Sequence, residues 1–260
     1  MEKVKETIDF DYDQYYYFLQ DDNYIIYPKT ISEKELKIAR GKYYEKTNCR
    51  LFSYLFETTY EYKKYSSYKF IALDLTKIDE DTKSKIIMLV KELFNEVEVF
   101  EQRGLTIYIY FENLDLDFQS ILEAINDDFS TKIKAFISGK LMFKNKHAFK
   151  LILDSYLQFS YNQNTLVTST RSLIVDISKA NYKRLKQLQA PLLNKVGEDN
   201  QLKDLINSMF NNNLNVTKTA GDVYMHRNTI NNKLDLILEE TGLNMQNFND
   251  AVAMYLLIKA

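Results

Sequence analysis

Asn215-Val-Thr-Lys-Thr-Ala-Gly-Asp-Val-Tyr-Met-His-Arg-Asn-Thr-Ile-Asn-Asn-Lys-Leu234 reads as two short helices separated by one sharp turn. Thr217 is placed to cap the first helix, because a hydroxyl there accepts from an otherwise unpaired first-turn amide. Ala220 falls mid-helix, where a small side chain admits a close second helix, and Val223 and Met225 flank the turn as apolar plugs. Ile230, Leu234 and Ile237 then recur at spacings of four and three, which is one inward helical face. The other face carries Arg227, Asn228, Asn231 and Asn232, donors and acceptors for whatever lies alongside. Gly242 after Thr241 supplies a left-handed stop. This layout fits a DNA-reading helix-turn-helix, but also an ordinary helical hairpin, and periodicity alone does not separate them.

Working upstream, Leu202, Leu205, Ile206, Met209 and Phe210 follow helical spacing and predict a leading helix beneath Ile230, Leu234 and Ile237. From about residue 68 the pattern alternates. Phe70 to Leu75 reads as an apolar strand, and Ile86, Val90, Leu93 and Phe94 as a helical stripe. Leu105, Ile107, Ile109 and Phe111 alternate with Thr106, Tyr108 and Tyr110, which predicts a half-buried strand. Phe118, Ile121, Leu122 and Ile125 return to helical spacing; Ile133, Ala135 and Ile137 predict a third strand; Phe149, Ile152, Leu153, Tyr156 and Leu157 another helix. Such alternation implies an α/β sheet covered by helices. Before it, Asn23 to Tyr27 reads as a strand ended by Pro28, and Ser32-x-x-Glu35 as a capping box opening a helix.

Composition narrows the chemistry. A chain of 260 residues with 45% apolar content is long enough for one large or two ordinary domains. Its net charge of −2 makes it no polyelectrolyte partner for nucleic acid, and from 200 to 260 five cations face six acids. Counterion release scales with the phosphates neutralised, so a single copy is expected to bind DNA weakly. Cys49, the only cysteine, excludes an internal disulfide and suits a reducing compartment. The start, Met-Glu-Lys-Val-Lys-Glu-Thr, carries no signal-like apolar core, and no apolar stretch is of membrane-spanning length, so a cytoplasmic location is expected.

Two histidines, His147 and His226, cannot with Cys49 make a Cys/His zinc site, and no glycine-rich phosphate loop is present. Asp79, Glu80 and Asp81 stand at a helix start, where capping explains them better than metal binding. The six lysines between 132 and 150, with no acid among them, read as a solvated face ahead of an anion or DNA contact. Thirteen of the 20 tyrosines lie in the first 68 residues. They alternate with charged residues and outline no cage, so biased composition explains them better than a ligand pocket. No enzyme, metal or cofactor is expected.

The run Met225-His226-Arg227-Asn228-Thr229-Ile230, followed by Lys233-Leu234, resembles the C-terminal helix-turn-helix of the PucR/CdaR family of bacterial transcription regulators. Thr217, Thr219, Ala220, His226 to Ile230, Leu234, Thr241, Gly242 and Leu243 match that pattern in order. Ala190-Pro191-Leu192-Leu193 and Leu202-x-x-Leu205 sit where the family carries its Pro-Leu-Leu segment and leading helix. The family's usual Tyr-Arg is here Asn232-Lys233, and Val223 replaces its Leu, which leaves fewer cationic contacts. Ile137-Ser138-Gly139 and Asp154-Ser155-Tyr156 faintly resemble the degenerate GGDEF-like domain that precedes the helix-turn-helix in CdaR-type regulators. No two glycines are adjacent, so the turn a diguanylate cyclase needs is lacking.

The resemblance implies three parts: an N-terminal module (1–67), an α/β, GGDEF-like domain (68–187) and an all-α helix-turn-helix domain (188–260). It implies a regulator that binds double-stranded DNA, with a small-molecule effector as a further partner; a homodimer is expected because a single recognition helix covers only a few base pairs. His226 opens the recognition helix; Arg227, Asn228, Asn231 and Asn232 are expected on base edges, and Thr217, Lys218 and Lys233 on phosphates. The competing reading is an α/β sensor or enzyme whose C-terminal helices only pack. Exposure of residues 226–233 discriminates between the two.

Overall fold

A computed structural model describes residues 3–4, 10–20, 23–46, 50–56, 64–113, 117–145 and 147–260. Cys49, Tyr60, Tyr62 and Lys146 lie outside the described residues. The chain opens with β1 (Lys3–Val4), β2 (Tyr15–Gln20), β3 (Asn23–Pro28), α1 (Glu33–Lys42), β4 (Tyr44–Glu45) and α2 (Arg50–Phe56). The strands form an antiparallel sheet in the order β1-β3-β2-β4. Ser32 caps α1 as its spacing predicts: its Oγ accepts from the Glu35 amide at 3.3 Å and donates to the Glu35 carboxylate at 2.6 Å. The tyrosines here are filling. Tyr17, Tyr24 and Tyr44 are buried, and Phe10 meets the first two rings edge-on at 4.9 and 5.2 Å.

Next come β5 (Ser67–Leu73), α3 (Glu80–Lys91), β6 (Val97–Gln102), β7 (Leu105–Tyr110), α4 (Phe118–Asp128), β8 (Ala135–Ile137), β9 (Leu141–Met142), α5 (Ala148–Phe159) and β10 (Val167–Ser169). Five strands run in the order β10-β8-β5-β7-β6, with β9 paired to β5. All pairings are antiparallel except β10 with β8. The succession β5-α3-β6-β7-α4-β8 is a split βαβ arrangement, so the α/β reading holds. Its β6–β7 turn has Arg103 and Gly104 both at positive φ, the geometry that a two-residue hairpin favours. From this turn Arg103 donates to the Gly41 carbonyl at 3.0 Å and to Asp154 at 2.7 Å, joining the N-terminal sheet's α1 to α5.

One expectation fails on β7. Its alternation predicts a half-buried strand, yet all six residues are buried. Ile107 and Ile109 join Phe70 and Ala72 on one face, while Tyr108 and Tyr110 join Ile71 and Leu73 beneath α3 and α4. A tyrosine scores as polar in the alternation, but its ring is apolar bulk, and burial pushes both phenols well above their ordinary range. Ile133, expected inside the third strand, precedes β8; its amide donates to the Asn126 side chain at 2.7 Å. The two GGDEF-like triplets fall at the end of β8 and within α5, where Ser155 only back-bonds to the Leu151 carbonyl at 2.6 Å.

Asp79 caps α3, accepting from the Thr82 amide at 3.0 Å, and hydrogen bonds from Thr82 hold its carboxyl below the ordinary value of 3.8. A carboxyl whose folded pKa is depressed stabilises above its unfolded pKa and loses that contribution as pH falls through the folded one. Asp79→Ala should therefore lower the melting temperature at neutral pH, and the gap to wild type should close as pH drops below about 4. Thermal melts across pH check this; a gap independent of pH would contradict it.

The remainder is helical: α6 (Thr170–Ala180), α7 (Tyr182–Leu193), a 3-10 turn (Asn194–Gly197), α8 (Asn200–Asn211), α9 (Val216–Asp222), α10 (Arg227–Thr241) and α11 (Phe248–Lys259). Leu202, Leu205, Ile206 and Met209 of α8 are buried with Ile230, Leu234 and Ile237 of α10, as the spacing predicts, while Phe210 is partly covered and meets Tyr255 edge-on at 5.2 Å. The same core runs on without a break into Leu173 and Ile177 of α6, Leu185 and Leu188 of α7, and Phe149 and Ile152 of α5. Among the described residues no helix is long and apolar enough to cross a membrane.

Candidate nucleic-acid interface

The start of α9 corrects one assignment. Asn215, not Thr217, is the cap: its side chain accepts from the Lys218 amide at 3.0 Å, and Thr217 stands exposed inside the helix. Asparagine ranks above threonine at this position, so the helix begins at the earlier residue. The close approach is likewise made by Thr219, fully buried with an unpartnered hydroxyl, while Ala220 is half-buried. Val223 and Met225 flank the turn as expected, half-buried. Between them Tyr224 sits at φ +52° and is 96% exposed.

His226 is the cap of α10. Its Nδ1 accepts from the Asn228 amide at 3.3 Å, which leaves the ring proton on Nε2 as an outward donor. Arg227, Asn228 and Asn232 are exposed, and Asn231 and Lys233 are half-buried. Arg227 makes no ion pair among the described residues, whereas Lys233 donates to Gln201 at 3.1 Å. Lys218 and Thr217 stand exposed on α9. The tertiary structure thus puts His226 and the polar residues of α10's first two turns at the surface and turns Ile230 inward.

The far end of α10 holds a feature that sequence reading missed. Glu240 is 1% exposed; its carboxylate takes Lys140 at 2.8 Å and Lys195 at 3.6 Å, while its other oxygen has no hydrogen-bond partner. The signal was there, since positions 240 and 241 continue the stripe of 230, 234 and 237, but a glutamate on such a stripe reads as surface. Asn194, at φ +49°, donates to the carbonyls of both Lys140 and Glu240, at 2.8 and 2.7 Å. Gly242 ends the helix at φ +72°, as its position predicts, and its amide reaches the Leu238 carbonyl at 2.8 Å. Gly242→Ala should cost about 1–2 kcal/mol, the penalty of a left-handed L-residue; chemical denaturation measures it, and an unchanged midpoint would contradict it.

Residues 202–260, which take in α8 to α11, match the family model of the PucR C-terminal helix-turn-helix domain. This segment resembles a PucR-type helix-turn-helix domain. The matched segment includes both the exposed start of α10 and its buried glutamate. Among curated proteins, the chain is similar to the uncharacterized protein YxkF of Bacillus subtilis (strain 168), 28% identical over 85 residues. That stretch is 33% of this chain and only 28% of the relative's length. Among solved structures, it is similar to a regulator of polyketide synthase expression from Bifidobacterium adolescentis, at 15% identity and a TM-score of 0.36. The likeness covers 76% of this chain and 81% of that one.

Proposed function

We propose that the chain is a transcription regulator that reads double-stranded DNA with its PucR-type domain. The observation that carries this reading is the start of α10, where Arg227, without an ion pair among the described residues, stands exposed beside Asn228 and Asn232 on a helix anchored from behind by Ile230. In this reading α10 enters the major groove. Arginine pairs with guanine and asparagine with adenine there, so Arg227, Asn228, Asn231 and Asn232 take base edges. Thr217, Lys218 and Lys233 take phosphates, and His226 adds its outward donor. The N-terminal module (1–67) and the α/β, GGDEF-like part (68–187) serve effector control and assembly, and the protein works in the cytoplasm. Mobility-shift binding to the DNA upstream of its own gene tests the reading; no shift at low salt would end it.

One recognition helix covers a few base pairs, and residues 200–260 carry no excess of cations over acids to compensate, so two copies about one DNA turn apart are expected on a near-palindromic site. Light scattering should give a dimer for the full chain. A monomer that holds its site tightly at physiological salt would contradict this.

A further inference from the structure

At the junction between the sheet and the C-terminal helices lies a cavity of about 400 Å³. Its floor is aromatic: Phe94 follows the end of α3, Tyr110 closes β7, and Phe118 opens α4, all three less than a tenth exposed. Three cations from three different segments line it, Lys69 of β5, Lys140 before β9 and Arg171 of α6. Two of them are engaged. Lys140 binds Glu239 at 3.3 Å and Glu240 at 2.8 Å, and Arg171 binds Asp250 at 3.2 Å, so each cation bridges to the PucR-type domain.

Lys69 is different. It is half-buried, and its ammonium makes no hydrogen bond or ion pair among the described residues. Burial, aided by the charge of Lys140, holds its ammonium below the ordinary lysine range, which Glu239 only partly offsets. A buried cation without a partner is costly unless something pairs with it. The cavity supplies room for that something, with an apolar floor for its body.

We propose that this cavity binds a small molecule with an anionic group, carboxylate or phosphate, on an aromatic body, and that its occupancy is felt by the recognition helix. The anion sits between Lys69 and Lys140, and the ring lies over Phe94, Tyr110 and Phe118. A ligand anion competes with Glu239 and Glu240 for Lys140. Glu240 is almost wholly buried, and drawing Lys140 away leaves Lys195 as its remaining cation, so the end of α10 must adjust. There is little slack: a Cβ on Gly139 would stand 3.1 Å from the Thr241 carbonyl, so the loop before Lys140 lies directly against that end. α10 has 15 residues, so it carries the adjustment over roughly 22 Å to the exposed start at Arg227. The coupling part of this inference rests on the DNA-reading proposal; the binding part does not.

The test uses the full chain without DNA. Benzoate, phenyl phosphate and inorganic phosphate are titrated by calorimetry, and hydrogen exchange is followed at 237–242. At least one aromatic anion should bind saturably and raise exchange at 237–242, and inorganic phosphate should bind about tenfold more weakly. Lys69→Met, which breaks no pair, should weaken the aromatic anion about tenfold or more while circular dichroism stays at wild type. Lys69→Arg should restore much of the affinity. No saturable binding of either aromatic anion, or binding indifferent to Lys69→Met, would overturn the site. Binding with unchanged exchange at 237–242 would overturn the link to α10. Because no arm contains DNA, failure here leaves the DNA-reading proposal standing, and failure of the mobility shift leaves the cavity standing.

Discussion

Arg227→Ala combined with Asn231→Ala is expected to abolish specific DNA binding while leaving the far-UV circular dichroism unchanged. Each base contact is worth about 1–3 kcal/mol, so losing two costs about 2–6 kcal/mol if they act independently. That is roughly thirtyfold at the low end and more than ten-thousandfold at the high end. The fold should survive because Arg227 is exposed and makes no ion pair among the described residues, and Asn231 is only half-buried. Lys218→Ala should act differently, weakening all sequences alike and flattening the salt dependence, because a phosphate contact carries no base information. Unchanged affinity of the double variant for a mapped site would remove α10 from the interface.

Leu234→Ala should produce the largest loss of stability. The side chain is 5% exposed, and truncating a buried leucine costs about 2–5 kcal/mol through lost transfer energy and the cavity left behind. The loss should not stop at the helix-turn-helix. Leu234 shares one unbroken core with Leu202 and Leu205 of α8 and with Ile177 and Leu185 of α6 and α7. Hydrogen exchange should therefore rise across residues 200–260 and also in α6 and α7. Exchange at wild-type levels throughout would show that this core is drawn wrongly.

Local regularities made much of this legible. The α8 and α10 stripes, Ser32 and Asp79 as caps, the Gly242 stop and the α/β alternation from residue 68 all rest on neighbours within a turn or two of chain. The cap at Asn215 was missed by two residues because Asn215 and Thr217 both carry a capping oxygen, and only the backbone path chooses between them. Several elements gave no reading at all, β6, α6 and α7 among them. β6 lies at a sheet edge and buries only Phe100 and Gln102 on either side of an exposed Glu101, and α6 and α7 bury short apolar sets that a linear scan passes over.

By itself the amino-acid sequence determined most of the helices and strands from β5 to α5 and from α8 to α10, and that Arg227, Asn228 and Asn232 share an outward face. Periodicity and capping are interactions of near neighbours, so they are written in the order of residues. Only the tertiary structure decided that Tyr108 and Tyr110 face a second core, that Glu240 is buried against Lys140, and that the Lys69 ammonium has no partner among the described residues beside a cavity. Each of these depends on what a distant segment covers. Lys140 and Glu240 are a hundred residues apart, and burial turns an acid that would be a minor surface charge in water into a group that cannot lose its cation without structural change.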